Sequence, residues 1–343
     1  MNKRFLVAFL LLLPIALIIS SCKKTEDKED IPEEEVPVLT TRDQAIQNYI
    51  DDYIGSECPD PGWTGTTTGC NAGSVSQAAN NKTVKRVNYF RHLVGLPADV
   101  VLNPNQSQMC QEAALMFKAN NNLSHNPPAS WQCWTQAGKD AAGGSNIGWG
   151  SYEGPNAIHA SNAVTGYIED PGLGNEPVGH RAWILYPQLS AIGHGSTSST
   201  NCLMWKDNLN GNPSPMPDFV AYPPKGFIPA PLVFNRWSFS IPNANFSGAT
   251  VTIKDASNNN VSLSVIHRAA PGGAPDARIV WKPNNIITNS AVDEVYTVTI
   301  GGITGASSST YTYDVTILPT NSLTKSKTLY EQEKPADALI EIK

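Results

Sequence analysis

The chain has 343 residues, of which 41% are hydrophobic and 16% charged, and its formal net charge is −6. This length exceeds that of one ordinary domain, and the composition is typical of a folded protein. The acidic balance and the lack of any block of basic residues argue against nucleic acid as a partner.

Residues 1–21 have the pattern of an export signal. Two basic residues precede an apolar run over residues 5–19, which is shorter than the roughly 20 residues of a membrane-spanning helix. The run ends in ISSC (residues 19–22), which resembles a bacterial lipobox. We therefore expect an acylated Cys22 that anchors the protein to a lipid bilayer, at the outer membrane or the cell surface. An ordinary secretory signal followed by a cysteine is the alternative.

Residues 22–40 contain many acids and few apolar side chains, so they predict an acidic tether rather than a folded segment. Residues 41–74 form a Cys-containing lead-in. Its first part, residues 41–54, has the apolar spacing of a short amphipathic helix, and a loop rich in glycine and threonine follows.

The next part of the chain predicts helices followed by strands. Residues 124–154 are rich in Gly, Asn, Pro and Trp and predict a long loop. Expected helices cover residues 75–93, 106–120, 156–168 and a short stretch from 179, and expected strands cover 191–195, 202–206 and 219–222. This order predicts an α+β fold.

Four prolines between residues 223 and 231 predict a domain boundary. Six β-prone segments follow within residues 232–318, separated by short turns rich in Asn, Gly and Ser, which favours an immunoglobulin-like β-sandwich. Residues 319–343 predict a polar tail.

Five cysteines remain when Cys22 is set aside, and an exported chain permits disulfides. Spacing alone suggests Cys58–Cys70 and Cys110–Cys133 as candidate bonds. The odd number leaves at least one thiol unpaired, and Cys202 is expected to be a buried apolar side chain.

Three motifs in order carry a family resemblance. They are VNYFRHLVGLP (residues 87–97), NNLSH (121–125), and GHRAWIL (179–185) followed by IGHG (192–195). Together they resemble the CAP superfamily of cysteine-rich secretory proteins, antigen 5 and pathogenesis-related proteins, over residues 75–222. The resemblance implies a three-layer α-β-α sandwich with a cleft that contains two histidines and two acids.

The family's histidines correspond to His125 and His180. Its Gly-Glu-Asn-Ile segment corresponds to residues 144–147, where Ser145 replaces the glutamate and Asn146 follows. Its second acid corresponds to Asp170, and the neighbouring Glu169 is a substitute candidate. Two neutral imidazoles in one cleft are suited to Zn²⁺ or another divalent cation, and a carboxylate nearby orients an imidazole or accepts a proton from bound water.

The incomplete acid set favours a non-enzymatic binding protein that holds a metal, or a small-molecule, lipid, glycan or protein ligand. The alternatives are a metal-dependent hydrolase or peptidase that uses His125, His180 and Asp170, and adhesion through residues 232–318 alone. His194 is expected to be a strand residue rather than a ligand. Three tryptophans are expected near the cleft loops, where lining a ligand groove and packing the loops are equally good explanations for them: Trp131, Trp134 and Trp149.

Overall fold

The computed structural model describes residues 41–150, 160–212, 216–272 and 274–324. The predicted signal peptide, the acidic tether with Cys22 and most of the predicted polar tail lie outside these residues. No helix in the described ranges is long and apolar enough to cross a membrane.

Six α-helices occupy the first part of the described chain: α1 (Thr41–Asn48), α2 (Gln77–Leu93), α3 (Pro104–Asn120), α4 (Gln136–Gly143), α5 (Ala160–Glu169) and α6 (Gly179–Ile184). The two long helices begin where the sequence provides N-caps. Ser76 accepts a hydrogen bond from the amide of Ala79, and Asn103 accepts one from the amide of Gln106. The α1 helix is shorter than predicted, because residues 49–56 continue it as π and 3₁₀ turns.

A four-stranded sheet lies among these helices. Its strands are β1 (Val101–Leu102), β2 (Ser145–Trp149), β3 (Ala191–Ser196) and β4 (Thr200–Met204). Their order is β1-β3-β4-β2, with β1 and β3 parallel and the other two pairs antiparallel. The expectation of a long loop over 124–154 was wrong, since this stretch contains both α4 and β2.

Nine further strands follow: β5 (Val220–Tyr222), β6 (Gly226–Pro229), β7 (Trp237–Ser240), β8 (Thr250–Asp255), β9 (Asn260–Val261), β10 (Leu263–Arg268), β11 (Arg278–Pro283), β12 (Glu294–Gly301) and β13 (Thr310–Leu318). They form two sheets, in the orders β10-β11-β7-β5 and β6-β13-β12-β8-β9. The described chain is therefore an α+β protein with an additional β-sheet region.

The proline-rich stretch predicted as a boundary contributes strands to that region. The β5 strand pairs with β7, and β6 pairs in parallel with β13. One continuous hydrophobic core includes Phe90 of α2, Leu203 of β4, Trp237 of β7 and Val298 of β12. The described residues accordingly belong to one compact unit.

The disulfide bond joins Cys70 to Cys133. Both candidate pairings were therefore wrong. The other described cysteines, Cys58, Cys110 and Cys202, are buried free thiols. Burial raises the pKa of the Cys58 and Cys110 thiols, so these groups stay protonated and act as small apolar side chains.

Candidate functional site

The two family-type histidines line one cavity of about 320 Å³. His125 lies in the loop that follows α3, and His180 lies in the first turn of α6. The other lining residues come from the α4–β2 segment, the loop before α6 and two tryptophans: Gly143, Ser145, Asn146, Gly174, Asn175, Pro177, Gly179, Trp183 and Trp205.

Asp170 fixes the orientation of His180. Its Oδ1 accepts a hydrogen bond from His180 Nδ1 at 2.8 Å, and its Oδ2 accepts from the backbone amides of His180 at 2.9 Å and Arg181 at 3.4 Å. The Asp170 side chain is 0% exposed and that of His180 is 26% exposed. The carboxylate therefore acts on the imidazole from behind and does not line the cavity.

A different acceptor orients His125. Its Nδ1 is 2.8 Å from the carbonyl oxygen of Ala142 at the end of α4, and a carbonyl only accepts, so this nitrogen carries the proton. Nδ1 of His180 also carries a proton, because it faces the Asp170 carboxylate, which accepts hydrogen bonds. In the neutral form of each imidazole Nε2 is then the unprotonated nitrogen, and neither Nε2 has a protein partner among the described residues.

At the position of the family's glutamate, the serine hydroxyl is already engaged in a hydrogen bond. Ser145 is buried, and its hydroxyl donates to the carbonyl of Ala141 at 2.6 Å. The Asn146 amide donates to the carbonyl of His180 at 2.9 Å, which ties β2 to α6. Glu169 is exposed on α5 and does not line the cavity.

Tyr167 packs behind His180. The two rings stack at 5.6 Å with an interplanar angle of 28°, and the Tyr167 hydroxyl donates to Asn201 Oδ1 at 2.9 Å. Burial raises the pKa of Tyr167 well above its usual value, so the hydroxyl remains a neutral donor.

Arg181 follows His180 and points away from the cavity into the core. Burial lowers the pKa of this guanidinium to about 10. Its Nε donates to the carbonyl of Ile168 at 2.6 Å, and its carbon Cζ lies 4.6 Å from the centre of the Tyr222 ring. This side chain joins α5, α6 and the β-sheet region directly beneath the cavity.

The sequence interpretation missed the aromatic wall of the cavity. Trp183 and Trp205 stack with ring centroids 3.5 Å apart. The predicted tryptophans lie elsewhere: Trp131 and Trp134 pack on a separate core cluster, and Trp149 is exposed at the end of β2. Trp183 lies three residues after His180 on α6, so both are on the same helix face. This spacing was the sequence signal that could have placed Trp183 beside the histidine.

His194 is buried in β3, where its ring contacts Asn80 Oδ1 at 2.8 Å. It does not line the cavity. Within the described part of the chain, no group of three or more His, Cys, Asp or Glu side chains is placed to hold a metal ion.

The cavity is thus a cleft lined by two histidines, each oriented through Nδ1 by an oxygen acceptor. Residues 84–205 match the family described as CAP: Cysteine-rich secretory protein family. The chain therefore contains a CAP domain, and the resemblance drawn from the three motifs is confirmed. Comparisons with curated proteins and with solved structures found no match.

Proposed function

We propose that this CAP domain is a non-enzymatic binding domain whose cleft takes a divalent cation together with a small polar ligand. The observation that carries the proposal is the shared tautomer of the two histidines. Both imidazoles have Nδ1 engaged by an oxygen acceptor, and both residues line the same cavity. This is the arrangement in which an outer oxygen orients a metal-ligating imidazole.

The donor set fits an open site rather than a closed one. Among the described residues, the cavity lining supplies two imidazole nitrogens as ligands, since Asp170 is engaged with His180 and Ser145 is bonded to Ala141. Structural zinc sites use four protein ligands and catalytic zinc sites use three. Water or a ligand oxygen would complete the coordination of Zn²⁺ here, and we expect micromolar or weaker affinity.

The cavity walls indicate what else binds. A volume of about 320 Å³ is at the small end of ligand pockets. The tryptophan pair supplies a flat apolar surface, while Asn175 and the imidazoles supply hydrogen-bonding groups. A small polar molecule with one flat face fits these walls better than a lipid chain does.

The alternative function is a metal-dependent hydrolase, and the His180–Asp170 pair favours it, because a carboxylate-oriented imidazole is a general base. The described residues that line the cavity include no carboxylate, which favours binding. Turnover of a peptide or ester that is abolished by His180→Ala would establish the enzyme instead.

We further propose a finer fold, with the three-layer α-β-α sandwich that the family resemblance implies in the CAP domain and, after it, the immunoglobulin-like sandwich that the strand pattern predicts. The support for the second is the contact between its two sheets. Trp237 of β7 packs edge-on against Tyr296 of β12 at 6.5 Å.

Zinc titration tests the cleft. We expect His125→Ala and His180→Ala each to weaken Zn²⁺ binding at least about tenfold in calorimetry on the chain from Leu39 onward, because each removes one of two ligands. His92→Ala is the matched control, since His92 is exposed and bonded to Asn48 outside the cavity. Equal affinities in all four proteins would contradict a site in the cleft.

We also propose that the protein is a lipoprotein anchored at the outer membrane or cell surface through Cys22, with the support of the ISSC motif alone. Cys22→Ser is expected to move the protein from the membrane fraction to the soluble fraction of the producing cells, because acyl chains supply the anchoring energy. Mass spectrometry of the N-terminal peptide checks acylation directly. A membrane-bound Cys22→Ser protein would refute the anchor.

A further inference from the structure

The loop over residues 171–178 connects Asp170 to the helix that carries His180, and it forms one wall of the cavity. Gly174, Asn175 and Pro177 line the cavity from this loop. Its internal hydrogen bonds are few: Asn175 Nδ2 donates to the carbonyl of Pro171 at 2.7 Å, and the amide of Val178 donates to the carbonyl of Asn175 at 3.0 Å. Three carbonyl groups of the loop, those of Gly172, Asn175 and Pro177, accept from arginines outside the CAP domain.

Arg236, immediately before β7, supplies most of those partners. Its Nη1 donates to the carbonyls of Asp170 and Asn175, the second at 2.9 Å, and its Nη2 donates to the carbonyl of Gly172 at 2.5 Å. The side chain is buried, with 6% exposure. A single planar guanidinium therefore holds three carbonyls, which a lysine ammonium on a flexible stem does not reproduce.

Arg278 of β11 holds the other end of the loop. Its Nε donates to the carbonyl of Pro177 at 2.6 Å, and its Nη1 donates to the carbonyl of Asp276 at 2.8 Å. Pro177 lies three residues before His180, so this contact fixes the approach of the chain to α6.

Arg181 connects this support back to the CAP domain. Its Nη1 donates to the carbonyl of Arg236 at 2.8 Å and to the hydroxyl of Ser238 at 3.0 Å. Arg236 thus donates to the loop through its side chain and accepts from α6 through its backbone. Arg236 therefore bonds to Asp170, Asp170 bonds to His180, and the adjacent Arg181 bonds back to Arg236.

We propose that Arg236 and Arg278 are positioning residues of the cleft, and that the C-terminal β-sheet region supports one wall of the binding site from outside the cavity rather than acting as a separate adhesive module. Two arginines from that region hold the backbone of the loop that presents Asp170, lines the cavity and leads into His180. The expected effect of these arginines on metal binding rests on the proposed function, whereas their effect on the loop over residues 171–178 does not.

The experiment compares the full chain with Arg236→Lys, Arg278→Lys and the control Arg268→Lys, which alters an arginine of β10 that donates to the carbonyl of Ala249. Circular dichroism first establishes that each variant is folded. Hydrogen exchange of the peptide over residues 171–181, which contains the hydrogen-bonded amides of Val178, His180 and Arg181, and Zn²⁺ affinity are then measured. We expect at least about tenfold faster exchange in that peptide and at least about tenfold weaker Zn²⁺ binding for Arg236→Lys.

Arg278→Lys is expected to give the same changes to a smaller extent, because it loosens the Pro177 end alone, and Arg268→Lys is expected to match the wild type. Added guanidinium ion at millimolar concentration should restore slow exchange in the variant Arg236→Gly, a rescue that a general loss of stability would not show. Wild-type exchange and wild-type affinity in folded Arg236→Lys and Arg278→Lys would overturn the proposal.

Different results would contradict the proposed cation binding and the proposed positioning role of the arginines. A wild-type chain that binds no Zn²⁺ would remove the cation from the proposed function, and the loop exchange would still decide whether the arginines position the wall. If Arg236→Lys does not fold, exchange and affinity in Arg278→Lys decide the question.

Discussion

Replacing both disulfide cysteines, in Cys70→Ser/Cys133→Ser, is expected to lower the free energy of unfolding by about 4 kcal/mol, the chain-entropy value for a bond that spans 63 residues. The bond ties the loop before α2 to the loop before α4. The noncovalent contacts between these loops are weak, such as the 3.4 Å hydrogen bond from Gln132 Nε2 to the carbonyl of Thr67. Chemical denaturation followed by tryptophan fluorescence measures the loss.

Reduction provides the matched control for this prediction. A thiol reductant should bring the wild-type protein to the stability of the double variant and leave the double variant unchanged, because the other described cysteines are free. A wild-type midpoint that reductant does not shift, together with a double variant of wild-type stability, would show that the bond contributes nothing.

The two long helices were predictable because their signals are local. Ser76 and Asn103 cap α2 and α3, and Gly95 follows the end of α2 in a conformation with φ of +79°. These residues act within a few positions of the helix ends, so the sequence alone contains the needed information.

The segment before β2 could not be predicted because its helix depends on a distant neighbour. The α4 helix contains Gly138, where an added Cβ would lie 3.1 Å from the amide nitrogen of Ala113 in α3. The sequence alone does not distinguish a glycine that permits close helix packing from a glycine in a loop. Composition therefore predicted a loop where tertiary contact stabilises a helix and a strand.

The candidate site was only partly predictable for the same reason. The motifs located His125 and His180, but not the tryptophan pair, since Trp183 and Trp205 meet only through folding of α6 onto the end of β4. The support from Arg236 is further removed, at a sequence separation of 66 from Asp170. No periodicity or spacing rule connects positions so far apart. The disulfide partners Cys70 and Cys133 could not be predicted for the same reason.

The second large effect is expected at Asp170, where Asp170→Ala should lower the free energy of unfolding by at least about 3 kcal/mol. The substitution leaves the His180 amide and Nδ1 without their acceptor in a buried position. It also removes the negative charge beside the buried Arg181 and places alanine at a φ of +54°, which disfavours residues other than Gly, Asn and Asp. Thermal and chemical unfolding measure the effect.

Asp170→Asn separates stability from ligand binding. Asparagine tolerates the positive φ, and its oxygen can accept from the two backbone amides while its NH₂ group donates to Nδ1 of His180. That donation forces the proton of the imidazole onto Nε2, the nitrogen proposed to bind the cation. We expect a folded protein that loses less than half the stability lost by Asp170→Ala, but binds Zn²⁺ at least about tenfold more weakly. Wild-type zinc affinity in Asp170→Asn would mean that the tautomer of His180 does not govern the cleft, and the binding proposal would then have to rest on His125 and the tryptophan wall.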